Sequence, residues 1–178
     1  MTSVALPRLS ASTLAQIHAG VQLPRFDRTT SHVGIVHLGI GAFHRAHQAV
    51  FTQDAVDLTG DDRWGILGVT QRSRSVVDQL RPQDGLYGVL TASAAGESLR
   101  IIGSVKDAAF PAEETVRVLG TIAAPTTHIV SLTITEKGYC RGAGGGLDLD
   151  RADVAAAVRA PARERAGARG RAPGPGIR

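Results

Sequence analysis

Residues 33–50 read VGIVHLGIGAFHRAHQAV. The run Val33–Leu38 is short and mostly apolar and stops at Gly39, as a buried strand does. Residues 42–58 then read as a helix, with Phe43, Ala46, Val50, Ala55 and Leu58 near one face and Gly60 closing it. Gly39-Ile40-Gly41 joins the two. A G-x-G between a strand and a helix is where a dinucleotide fingerprint sits. The first glycine allows a tight turn, and the second lets a pyrophosphate approach the backbone. Free N–H groups and the helix dipole favour an anion there. His44 holds the place of the third glycine of G-x-G-x-x-G, so the motif alone also fits an ordinary tight turn.

Outward from this junction the chain alternates strands and helices. Residues 9–19 suggest a short helix, capped by Ser10 or Ser12 and ended by Gly20. Residues 64–69 (WGILGV) suggest a second buried strand. Ser73 or Ser75 opens a helix that stops before Pro82, and Gln83-Asp84-Gly85 is a turn. Residues 86–93 and 98–104 form a hairpin around Ala94-Ala95-Gly96. Residues 111–119 suggest a helix with Pro111 at its first position and Glu113 and Glu114 in its first turn. Residues 128–135 (HIVSLTIT) form a β-branched strand. The order predicts an α/β fold: an open, mostly parallel sheet with flanking helices, plus a disordered tail. The divisions are a helical lead-in (1–32), the sheet domain (33–150) and the tail (151–178).

Composition bounds the function. Of 178 residues 43% are hydrophobic and 20% charged, which excludes a wholly disordered chain. No run is long and apolar enough to span a bilayer, and no signal peptide is visible. The single Cys140 excludes an internal disulfide and has no nearby partner that would make it a nucleophile. The expectation is a cytoplasmic protein. The net charge of +4 is local: residues 159–178 sum to +5 and the rest to −1. That tail uses Arg, Ala, Pro and Gly for eighteen of twenty positions. It has no aromatic residue to stack on a base, so nucleic acid is an unlikely partner.

Three further groups bear on chemistry. Val69-Thr70-Gln71-Arg72-Ser73-Arg74 lacks the acid that NAD sites carry for the ribose. Its arginines and Ser73 suit a 2′-phosphate, or are simply solvated. His37, His44 and His47 cluster, but with no third ligand of suitable spacing the favoured reading is hydrogen-bonded histidines and no metal. Thr133 to Tyr139 (TITEKGY) lies at the carboxyl end of a strand. Glu136 and Lys137 there suit acid–base work, or a polar turn with a local salt bridge.

IVHLGIGAFHRAHQAVFTQDA, WGILGV, LRPQDGLYGVL and VSLTITEKGYC together resemble the N-terminal domain of the polyol-specific long-chain dehydrogenases, the family of mannitol 2-dehydrogenase and fructuronate reductase. The resemblance covers residues 33 to about 150. It implies an NAD(P)-binding Rossmann domain followed by a mostly helical substrate domain. It also implies metal-free hydride transfer between a secondary alcohol and a ketone. Gly39, Gly41, Phe43, His44 and Arg45 would line the pyrophosphate and adjacent ribose. Arg72 and Ser73 would lie near the adenosine ribose. Thr133, Glu136 and Lys137 would lie near the nicotinamide or the substrate entrance. The cofactor is NAD or NADP. The family's catalytic Lys and its neighbours match nothing here, so no catalytic residue is assigned. A polyol or uronate would need the absent second domain, and a frameshift is the expected origin of the tail.

Overall fold

A computed structural model describes residues 7–70, 73–94, 96–134 and 136–159, the side chains of Glu136 and Lys137 excepted. They divide into two compact units, one ending at Thr133 and the other beginning at Ile134. In the first unit a four-stranded parallel sheet is built from β1 (Val33–Leu38), β2 (Gly65–Val69), β5 (Val105–Ala109) and β6 (Ile129–Leu132), in the order β5-β2-β1-β6. Between β2 and β5 the chain makes an antiparallel hairpin, β3 (Tyr87–Ser93) and β4 (Gly96–Ile102). The helices are α1 (Ala42–Ala46), α2 (Gln48–Thr59), α3 (Ser75–Leu80) and α4 (Pro111–Ile122).

Successive strand residues face opposite sides of the sheet, so β1 and β2 supply two cores at once. Ile35 and Ile66 pack with Ile40, Ala49, Val77 and Leu80 on the face covered by α2 and α3. Val36, Leu67 and Val69 pack with Ala109 and Val118 of α4 on the other. The chain crosses from one face to the other between β5 and β6, and β6 therefore adds on the far side of β1. Among the described residues β6 pairs only with β1, and Ile129, Val130 and Leu132 are half-exposed.

Several elements differ from the sequence reading. Residues 9–19 form only a 3₁₀ turn, Leu14–Gln16. No residue of the turn is buried, and Thr13 Oγ1 donates to Arg8 O at 2.9 Å and accepts from Ser10 N–H at 2.9 Å, an alternative to helical bonding. The helix expected over 42–58 breaks at His47, whose φ and ψ are −125° and −81°. The break turns α2 so that Ala49, Gln53 and Val56 face inward, while Phe43 is 67% and Leu58 86% exposed. Gln53 is held inside by hydrogen bonds from its Nε2 to Ile101 O (3.0 Å) and from Gly103 N–H to its Oε1 (2.6 Å). Strand β5 was not legible: Lys106 and Asp107 interrupt its apolar pattern. Trp64 belongs to a 3₁₀ turn before β2.

The second unit holds a 3₁₀ turn over Glu136–Tyr139, an antiparallel bridge between Arg141 and Leu147, and α5 (Ala152–Arg159). The disordered tail expected from residue 151 is thus corrected over 152–159. That stretch is alanine-rich and helix-favouring, with Asp153 in its first turn beside Arg151. Residues 160–178 lie outside those described.

Candidate functional site

Because β6 adds beside β1 on the side away from β2, the order in which the chain lays down its parallel strands reverses between β1 and β6. Ligands of open α/β sheets bind in the crevice at the carboxyl ends of such strands. The glycine loop after β1 borders this crevice on one side, and Thr133, directly after β6, borders it on the other.

The loop is built tightly. Gly39 has φ +109°, a conformation an L side chain rarely adopts. Its N–H and that of Ile40 both donate to Val69 O, at 2.8 and 3.1 Å. Ile40 turns inward and fills the space above Gly68, where an added β-carbon would lie 2.0 Å from Ile40 Cδ1. Thr133 N–H donates to Leu38 O at 3.1 Å, which holds the end of β6 against β1. A β-carbon on Gly41 would meet nothing nearer than Gly39 O at 3.8 Å, so the backbone there is open to close approach. The amides of Ala42, Phe43 and His44 follow at once as the first-turn donors of α1, which no helical carbonyl reaches. A glycine-lined opening edged by free amides is the donor set a pyrophosphate requires.

The predicted site residues do not share one environment. Gly39, Gly41 and Thr133 come together at the crevice. His44 is 1% exposed, and neither ring nitrogen has a hydrogen-bond partner. Its ring stacks on His37 at 3.7 Å and 20°. Burial, then neighbouring His37 and Arg45, lowers the His44 pKa from 6.5 to about 3, so the ring is neutral. Arg45 donates from its guanidinium to Ile40 O at 3.0 Å, and its carbonyl accepts from Tyr87 OH at 2.8 Å. Phe43 lies exposed and stacks on His47 at 4.4 Å. His44 and His47, which the spacing puts on one face, are separated by the helix break: one is buried and the other is on the surface.

At the end of β2, Ser73 Oγ donates to Ser75 Oγ at 3.0 Å. Arg74 is tied to Asp78 at 2.8 Å and also to Glu113. Arg72 lies outside the described residues. Glu136 and Lys137 lie in the 3₁₀ turn of the second unit, and their side chains are likewise outside. The sequence reading favoured hydrogen-bonded histidines, which describes His37 but not His44, and it assigned no role to Ser131 or Gln48. His37 is hydrogen-bonded to both Ser131 and Thr133, and Gln48 Nε2 donates to Ser131 Oγ at 3.3 Å. A histidine inside an apolar strand was the signal that could have found this group.

Residues 33–170 match the model of the mannitol dehydrogenase Rossmann domain. The chain belongs to the mannitol dehydrogenase family. The match begins at the first residue of β1 and runs to 170, which corrects the reading of 151–178 as a non-family tail over residues 151–170. The chain is 42% identical over 144 residues to D-mannonate oxidoreductase of Escherichia coli, covering 78% of this chain and 29% of that protein. It is 37% identical over 152 residues to mannitol 2-dehydrogenase of Pyrenophora tritici-repentis, covering 84% and 27%. Among solved structures it resembles Pseudomonas fluorescens mannitol 2-dehydrogenase in its ternary complex with NAD and D-mannitol. The TM-score there is 0.78 at 32% identity, over 86% of this chain and 32% of that one. The chain thus spans less than a third of the length of the curated relatives it matches.

Proposed function

We propose that this chain is the cofactor-binding part of an NAD- or NADP-dependent oxidoreductase, working between a polyol or uronate alcohol and its ketone. The observation that supports this most is the open glycine loop where the strand order reverses, in a chain of the mannitol dehydrogenase family. On this reading Gly39 and Gly41 let the pyrophosphate reach the first-turn amides, and Phe43 and Arg45 line it and the adjacent ribose, while His44, buried beneath, backs the loop instead of touching the cofactor. Arg72 and Ser73 take the adenosine ribose. Thr133 lies beside the nicotinamide, with Glu136 and Lys137 toward the substrate. The nicotinamide, when bound, supplies the hydride acceptor or donor. The chain's own part is to bind and orient it and to keep the loop dry with Ile40 and the neutral His44. The base for the alcohol proton lies outside the residues assigned here.

Among the described residues no helix is long and apolar enough to cross a membrane. The test is a fluorescence or calorimetric titration of the full chain with NADH and with NADPH. Saturable binding of at least one is expected, and the stronger of the two identifies the cofactor. Binding of neither rejects the reading. A second reading is a dinucleotide-binding fragment without turnover, since none of the described residues is assigned as the base. Turnover of mannitol or fructuronate by the purified chain would exclude it.

A further inference from the structure

His37 sits in the middle of the sheet, between Gly68 of β2 and Ser131 of β6. It is 3% exposed. A polar ring in such a place is costly unless its nitrogens are met. Both are met by hydroxyls of the β6 segment: Nδ1 is hydrogen-bonded to Ser131 Oγ at 2.9 Å and Nε2 to Thr133 Oγ1 at 3.0 Å. Hydroxyls donate or accept, so either neutral tautomer is satisfied. Gln48 of α2 donates to the same Ser131 oxygen. The face of the His37 ring carries His44 of α1, stacked at 3.7 Å. His44 has no hydrogen bond at either nitrogen, so packing against His37 locates it. One imidazole therefore touches both walls of the crevice: the helix that follows the glycine loop, and the end of β6.

We infer that His37 is a positioning residue that fixes the separation between the glycine loop and Thr133, and through it the affinity for the dinucleotide. The inference rests on the dinucleotide reading of this crevice. A phenylalanine could fill the same volume and stack on His44, but it could not bind the two hydroxyls. The distinction between filling and linking is what the test exploits.

His37→Phe keeps the stacking ring and loses both bonds to the β6 segment. Thr133→Val removes one bond and keeps the volume. Both are made in the full chain and read in two ways. Hydrogen exchange is followed at the amides of Gly39 and Ile40, which Val69 O protects, and in the β3–β4 hairpin as a control. NADH affinity is followed by fluorescence titration. Exchange at Gly39 and Ile40 should rise several-fold in His37→Phe with the hairpin unchanged. The NADH Kd should rise roughly tenfold in each variant, and the double variant should lose no more than His37→Phe alone. Unchanged loop exchange, or a rise spread equally over the hairpin, would overturn the link, the second outcome marking mere destabilisation. So would losses of NADH affinity that add. If His37→Phe does not fold, Thr133→Val carries the same two readouts. If the unaltered chain binds no NADH, the dinucleotide reading fails, and the exchange data still decide whether His37 holds the loop.

Discussion

After β1 the chain turns inward. Ile40 is buried over Gly68, two amides share the Val69 carbonyl, and the His37–His44 stack closes the crevice side. After β2 the described residues from Ser73 on lie at the surface. Thr70 N–H still bonds Ala109 O at 2.9 Å, but Ser73 is exposed and Arg74 is held by Asp78 and Glu113 at the surface. The two loops leave neighbouring strands of one sheet, yet volume sets the first and exposed charge sets the second. A loop set by volume is rigid and intolerant. A loop set by exposed pairs is loosely held, because each such pair contributes little. On the proposed reading the pyrophosphate meets the rigid loop and the adenosine ribose meets Ser73, beside the exposed pairs of Arg74. The choice between NAD and NADP is then the property that substitution alters most easily without loss of the fold.

The sharpest test of this contrast is Gly68→Val. Its β-carbon would lie 2.0 Å from Ile40 Cδ1 and must displace that side chain. A loss of about 3 kcal/mol is expected in urea unfolding. Ile40→Ala alone should cost about the same through the cavity it leaves. The double variant should be more stable than the sum of the two losses allows, since each change relieves the other. Strict additivity would mean that Ile40 does not anchor the loop.

His44→Phe should have a smaller effect, and one that depends on pH. The variant removes a buried ring whose nitrogens are unpartnered, so stability at pH 7 should be unchanged or about 1 kcal/mol higher. The unfolded imidazole titrates near 6.5 and the folded one near 3. Between those values the unfolded chain binds more protons, so the stability that neutral His44 supplies is lost as pH falls from 6.5 towards 3. His44→Phe should show a shallower decline over that window in thermal unfolding. Equal slopes would show that His44 does not stay neutral inside.

Arg74→Ala should have the smallest effect. Its guanidinium is about half exposed in both ion pairs. No resolvable change is expected in the same unfolding assay. A loss comparable to that of Gly68→Val would erase the contrast between the two loops.

Much of the fold follows from local pattern. The apolar run of β1, the G-x-G after it and the five-residue run of β2 are contiguous signals that need no knowledge of partners. The glycine loop and Thr133 are legible for the same reason: they end strands, and strand ends are where such sheets bind ligands. Elements whose identity depends on neighbours are not legible. Strand β5 carries Lys106 and Asp107 and is a strand because β2 offers it an edge. Residues 9–19 have helical composition but bury no face that would hold a helix together.

By itself the sequence determined the α/β class and the strand-to-helix junction at Gly39–Gly41, because both rest on short-range spacing; the family entered as a resemblance of whole sequence blocks. Only the tertiary structure decided which face of residues 42–58 is buried. The break at His47 turns that face, so Gln53 lies inside and Phe43 outside. Only it decided that His44 and His47 part company, and that His37 joins β1 to the end of β6 across more than ninety residues of chain. Those contacts are made by strands far apart in sequence, and a one-dimensional pattern holds no record of which strands become neighbours.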